Sequence, residues 1–270
     1  MKRIQLLVIF CVAILFLSFE KVKQDKINCS IKNTTFEAGE EISFHVFYAL
    51  AGIYVNAGKV VFSNKLETLN NQTVYHITGV GRTYSSYDWI YKVRDIYETF
   101  IDTATLQSLK FIRNINEGGY KKIENISFNK STNSAITHDG VYKVPDCIQD
   151  VLSAIYYARN IDFDNYKVGD RIPFHLFLDN EIFNMHIRYL GKEIIKTRYG
   201  TFRAIKFKPL LLTGTIFEGG EKMTVWVSDD KNHIPVRIES PIVVGTIKVD
   251  MMNYNHIRYP LSSLIKLRNS

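Results

Sequence analysis

Pro145-Asp146-Cys147-Ile148-Gln149-Asp150-Val151-Leu152-Ser153-Ala154-Ile155-Tyr156-Tyr157-Ala158-Arg159 is the one stretch that reads as a helix among many runs of strand character. Ile148, Val151, Leu152 and Ile155 recur at i, i+3, i+4 and i+7 and so share one face. That face needs a sheet to cover it. Asp146 reads as the first-turn cap, Gln149 stands three residues on as its reciprocal partner, and Asn160 reads as a left-handed stop. The helix is therefore expected over 146–159. The expected fold class is mainly β (α+β), a curved antiparallel sheet or half-barrel wrapped on one principal helix.

Working outward, Ile42, Phe44, Val46 and Tyr48 alternate with Ser43 and His45, the period of a strand with one buried face, and Gly39 marks the turn into it. Further strand-like runs cover 55–64, 74–81, 93–101, 106–114 and 123–129, separated by turn-forming pairs such as Asn70-Asn71 and Gly118-Gly119. They read as an antiparallel meander. Ser85 to Tyr91 interrupts them as a short helical turn or lid carrying three aromatics. Beyond the helix, a two-residue turn at Asp179-Asn180 sets Leu178 opposite Glu181, Leu176 opposite Phe183, Phe174 opposite Met185 and Ile172 opposite Ile187. Runs over 202–208, 223–227, 234–238 and 243–251 follow, and Pro260 with its polar tail places the end of the fold near Tyr259.

Composition agrees with a β protein: the chain has 270 residues, 17 Phe and 16 Tyr, and 46% hydrophobic residues. One antiparallel domain over 29–259 is expected. Lys2 and Arg3 precede the apolar run Leu6 to Leu17, the layout of a signal peptide or signal anchor over 1–19. No small-x-small site surrounds Ser18, so cleavage and retention as an anchor both stay open. Cys11 lies inside the apolar run behind the bulky Phe10 and reads as a signal-core cysteine rather than a lipidation site. The expected location is exported, in the periplasm or at an envelope membrane. In such an oxidising compartment Cys29 and Cys147 are candidates for a disulfide, with two buried free thiols as the alternative.

The formal charge is +7, and without Lys2 and Arg3 32 basic residues face 27 acidic ones. These cations are spread along the chain, which suits mild attraction to anionic surfaces rather than a nucleic-acid footprint.

Several of these stretches together resemble a known family. Gly39-Glu40 before the first strand, the Asp146 to Arg159 helix, Val168-Gly169-Asp170, Tyr189-Leu190-Gly191-Lys192-Glu193 and Trp226 to Arg237 look like the exported bacterial family catalogued as domain of unknown function 3108. The resemblance covers roughly residues 29 to 255, and Trp226 to Arg237 is its most specific part. It implies an envelope protein with a twisted antiparallel half-barrel embracing a helix, similar to lipoprotein carriers of the LolA type. It implies no catalytic residue.

A carrier needs a concave apolar surface that its own side chains do not fill. Phe44, Phe62, Trp89, Tyr91, Ile155 and Trp226 are the candidate lining, with Tyr87 to Tyr91 as a gate; the competing reading is that these residues pack sheet on helix as a closed core. Trp226 is also expected to anchor against the helix, and Arg237 to pair with Asp150 or Asp229. His175 and His186 share a face but sit beside Asn184 and Arg188 without a third ligand, so no metal is expected. Asp102-Thr103 reads as a turn rather than half of a protease dyad, and Asp229-Asp230 as turn residues rather than paired catalytic carboxylates. No nucleophile elbow, phosphate loop or zinc-hydrolase motif occurs, so neither enzyme chemistry nor a cofactor is expected. The function read from the sequence is non-catalytic binding or transport of a lipid or other apolar ligand by a monomer. The alternative is an adaptor that binds an envelope protein through its sheet.

Overall fold

The computed structural model describes residues 27, 29, 31–50, 53–213, 218–242 and 244–268. The leader expected over 1–19 lies outside them. Eight strands, β1 (Glu41–Leu50), β2 (Ile53–Leu69), β3 (Gln72–Thr83), β4 (Arg94–Asp102), β5 (Ser108–Glu117), β6 (Tyr120–Asn129), β7 (Ser134–Thr137) and β8 (Gly140–Lys143), precede the helix α1 (Val151–Arg159). After it come β9 (Arg171–Leu178), β10 (Glu181–Lys196), β11 (Gly200–Pro209), β12 (Leu211–Thr213), β13 (Glu218–Gly220), β14 (Thr224–Ser228), β15 (Pro235–Pro241), β16 (Thr246–Asn255) and β17 (Leu264–Leu267).

Among the described residues, fifteen strands form one sheet in the order β8-β7-β6-β5-β4-β3-β2-β1-β16-β15-β14-β11-β10-β9, with β17 beside β11; β12 and β13 form a separate hairpin. Every strand pairing is antiparallel, and β1 joins the two halves by pairing with both β2 and β16. Two-residue turns organise the meander. Asn70 and Asn71 at φ 49° and 63°, and Asp179 and Asn180 at φ 52° and 65°, adopt the doubly left-handed geometry that matches strand twist. The second of these turns sets Leu178 opposite Glu181 and Ile172 opposite Ile187, the register expected from the alternation.

The two ends of the sheet approach one another without pairing. The Phe177 ring on β9 lies 6.0 Å from Phe128 and 5.7 Å from Tyr142. Asp179 receives Arg113 and Lys122, and Asn180 donates to Asp139 at 2.7 Å. Chain between β8 and α1 occupies the seam: Gln149 donates its N–H to His175 O and accepts from Phe177 N–H, both at 2.9 Å. The sheet is barrel-like but not closed.

The helix starts later than expected. Asp150 is its cap: its carboxylate accepts the N–H groups of Leu152 and Ser153 at 2.8 Å, and Ser153 Oγ accepts the Asp150 N–H at 2.9 Å. Residues 146–149 are spent otherwise. Cys147, at φ 59°, is joined to Cys29 as a disulfide with Cα atoms 5.3 Å apart, and Gln149 bridges to β9. At the other end Asn160 has φ −94° and ψ 7°, so the helix stops without a left-handed residue. The fold also runs past Tyr259, because β17 pairs Leu264 to Leu267 with Gly200 to Phe202.

Leu152 and Tyr156 of α1 join a core with Ile77, Ile101, Phe111 and Ile126 from the first half of the sheet. Tyr157 joins a second core with Phe174, Ile187, Phe207 and Val227 from the other half. A third cluster gathers Ile42, Phe44, Phe202, Trp226 and Met251 where the halves meet. No helix among the described residues is long and apolar enough to cross a membrane.

Candidate ligand cavity beside the helix

Cross-strand pairing on β2 and β3 leaves a hollow under α1. Phe62 is opposite Gly79 and Val60 is opposite Gly81. A Cβ at Gly79 would come within 2.8 Å of the Phe62 ring, so glycine is what lets that ring lie flat across the strand. A Cβ at Gly81 would meet nothing closer than Val60 at 3.8 Å, so the second glycine leaves open space. Val151, Leu152 and Ile155 of the helix face this space and complete an apolar cavity of about 320 Å3. That volume is at the lower end of small-molecule sites.

Polar and aromatic groups ring the hollow: Lys59, Arg82, Thr83, Tyr91, Asp95, Tyr97 and Glu117. Burial, reinforced by the Asp95 and Glu117 charges, pushes the Tyr97 phenol up to about 12, so it presents a neutral hydroxyl. Tyr91 lies against Gly118, whose φ of 56° and missing side chain let the ring seat there. The segment between β3 and β4 is tied down by Asp88, which accepts Thr83 Oγ1 at 2.8 Å and pairs with Arg94 at 2.6 Å. A short 3-10 turn, Ser85–Tyr87, precedes it.

Three of the six candidate lining residues, Phe62, Tyr91 and Ile155, meet at this cavity. Phe44 does not: it is buried in the third cluster, with its ring edge-on to Phe62 at 5.8 Å. Trp89 also stands apart, 83% exposed, with its indole N–H on Ser86 O. Neither does Trp226 line the space or anchor the helix. It lies on the strand face shared with Lys206, packed among Phe202 and Ala204, and donates to Glu193 Oε1 at 2.6 Å. Strand alternation explains the difference, since Val225 and Val227 are the β14 residues that join the helix-side core.

Arg237 pairs with Asp250 through two bonds of 2.6 and 2.8 Å rather than with Asp150 or Asp229. Asp150 is instead satisfied by Thr99 and Ser108 hydroxyls at 2.6 Å, and Asp229 by Lys192 at 3.0 Å. Asp230 serves its own turn, accepting from Asn232 N–H and Ser228 Oγ. Asp102 likewise accepts the N–H groups of Ala104 and Thr105 at 2.8 Å. His186 bonds Glu221 at 2.7 Å, and no group of three metal-ligating side chains occurs among the described residues.

Three of the stretches that carried the family resemblance, those of Glu40, the helix and Trp226 to Arg237, meet at the C-terminal end of α1. Arg159 forms two bonds with Glu40, at 2.6 and 2.8 Å, and also donates to Asn232 O at 3.1 Å. His233 bonds Arg159 O at 2.6 Å; burial is the main cause that keeps its imidazole below the usual range. Residues 43–252 match the family described as protein of unknown function DUF3108. The chain belongs to that family.

No curated protein matches the DUF3108 chain in sequence. Among solved structures, a β-barrel-like protein of domain of unknown function DUF1849 from Brucella abortus superposes with a TM-score of 0.53 at 8% identity, covering 83% of this chain and 100% of its own. That likeness is one of fold. A candidate lipoprotein from Parabacteroides distasonis matches at TM-score 0.36 and 17% identity, over 83% of this chain and 100% of its own. A candidate exported protein with a YmcC-like fold from Bacteroides fragilis matches at 0.35 and 12%, over 84% and 100%.

Sequence reasoning missed Gly79, Gly81, Val151 and Leu152 as lining. A signal for the glycines existed: Gly79-Val80-Gly81 inside a strand pattern marks a close approach or an unfilled face.

Proposed function

We propose that this DUF3108 protein is an exported envelope protein that binds an acyl chain or similar apolar ligand, without catalysis, in the cavity between α1 and the β2–β3 wall of a sheet curved around the helix. The observation that carries this reading is at Gly81, where glycine leaves the strand face under the helix hollow and an ordinary strand residue would fill it, while Gly79 lets the Phe62 ring lie as part of the cavity wall. Apolar walls with a few polar groups at the rim are what a ligand with a hydrocarbon body and a polar end requires. The disulfide between Cys29 and Cys147 supports an oxidising compartment. Trp89 and Ile90, exposed on the segment that carries Tyr91, suit a rim that meets an apolar surface on the ligand's way in.

Titration with a fluorescent fatty acid tests this. The wild-type protein is expected to bind it saturably, and Gly81→Leu, which fills the hollow from a strand position with room for a side chain, is expected to abolish binding while keeping the β-type circular dichroism. Equal binding by the folded Gly81→Leu variant would rule the cavity out as the site.

A further inference from the structure

A second concavity, of about 610 Å3, shares no lining residue with the helix-side cavity. It is formed by Phe47 of β1, Tyr54 of β2, the β10–β11 turn, Arg237 of β15, Lys248 and Asp250 of β16, and the end of β17. Among the described residues, six cations line it, Lys196, Arg198, Arg237, Lys248, Lys266 and Arg268, against the single carboxylate of Asp250. Arg237 is spent on Asp250 at 2.6 Å, and Lys248 on Glu239 at 2.8 Å. Among the described residues, none of the other four is paired with a carboxylate. Cations scattered over sequence positions 196 to 268 are thus gathered by the fold onto one cleft. Like charges so placed repel unless an anion joins them.

The cleft is also organised. Arg237 Nη1 donates to Lys196 O at 2.8 Å, and the Arg198 N–H donates to Asp250 Oδ2 at 3.2 Å, so the buried Asp250 carboxylate and its arginine hold the β10–β11 turn in place. The Arg198 guanidinium lies 4.2 Å from the centroid of the buried Phe47 ring, and Lys248 lies 4.9 Å from that of Tyr54. His45 stands at an adjoining hollow that shares Phe47, Tyr54, Arg198 and Arg268 with this one. Burial first, then the Lys59 and Arg198 charges, hold its imidazole below the usual range.

We propose that this cleft binds a phosphate-bearing group through Lys196, Arg198, Lys266 and Arg268 above the aromatic floor of Phe47 and Tyr54. Two guanidinium forks and two ammoniums exceed what one carboxylate neutralises, whereas a phosphate offers more charge and several acceptor oxygens. The group belongs either to a free phosphorylated small molecule or to a phospholipid head.

The test uses calorimetry with glycerol 3-phosphate, and co-sedimentation with vesicles of phosphatidylcholine alone or mixed in equal parts with phosphatidylglycerol. Three proteins are compared: wild type, Lys196→Gln/Lys266→Gln, and a control pair, Lys121→Gln/Lys167→Gln, that removes the same charge elsewhere on the exposed surface. The cleft pair is expected to weaken binding about tenfold or more, with the control within about twofold. Binding of glycerol 3-phosphate in solution upholds the site with a free source, and binding only to phosphatidylglycerol vesicles upholds it with a lipid source. Absence of both, or equal loss in the control pair, overturns it.

Discussion

Glu40 and Arg159 are 1% and 3% exposed, 119 positions apart in sequence, and joined by two short bonds. Removing one partner from such a buried pair strands the other charge, which costs about 3–5 kcal/mol. Arg159→Met is therefore expected to lower unfolding free energy by about 3 kcal/mol in urea titrations, and Glu40→Gln added to it to restore much of the loss. A double variant no more stable than the single one would mean that Arg159 matters through its contacts to Asn232 and the Phe36 and Tyr156 rings instead. Asp102 gives a pH signature. Burial alone would raise its carboxyl, but the Lys130 ammonium and the N–H groups of Thr105 and Ala104 outweigh it and hold it at about 2, below the ordinary 3.8. A carboxyl depressed in the folded state contributes stability that is complete above about pH 4 and fades as pH falls toward 2. Melting temperature should drop across that window, and Asp102→Asn should flatten part of the drop. At this scale the sequence was least informative: Glu40, Arg159 and Asn232 all lay in stretches that carried the family resemblance, but nothing local pairs charges so far apart.

At the scale of elements, α1 is fastened at each end by a buried side chain, the capping carboxyl of Asp150 at the start and, with the sign that suits the helix dipole, the guanidinium of Arg159 at the end. Its existence was plain from the apolar spacing of Val151, Leu152 and Ile155. Its start was not, because Pro145-Asp146 imitates a cap and Ile148 continues the periodicity, whereas the disulfide at Cys147 and the bridge at Gln149 take those residues out of the helix. The long strands were legible through their alternation, and the Asp179-Asn180 turn even through its register. By contrast β7 and β8, four residues each, carry too few alternations to read, and β17 sits beyond a proline that looked like an end. Of the cavity, Ile155, Phe62 and Tyr91 could be read; the glycine hollow depends on which strands are neighbours. The β5–β6 turn has its own consequence for the rim. Gly118→Ala places a methyl where the Tyr91 ring lies, at a φ that disfavours it, and should displace that ring. Ligand affinity should fall with a cost of about 1 kcal/mol in stability; unchanged affinity would exclude Tyr91 from the rim's function.

The whole molecule is a sheet whose ends, β8 and β9, meet through side chains rather than a backbone ladder, with the chain leading into α1 filling the seam. One helix then serves two cores, one for each half of the sheet, and the wall under it is left hollow at Gly81. That division of labour explains why the lining is drawn mainly from α1, β2 and β3, while the aromatics of β1 and β14 at Phe44 and Trp226 close the third cluster. The claim on which this account rests is that the hollow is filled by an apolar ligand. Native mass spectrometry of the protein purified from its own cell envelope in mild detergent, followed by solvent extraction of the same sample, tests it most directly. The account predicts a stoichiometric adduct that extracts as a lipid and is absent from folded Gly81→Leu and Ile155→Glu variants; a clean apo mass with no extractable lipid, or an adduct that both variants retain, would contradict it.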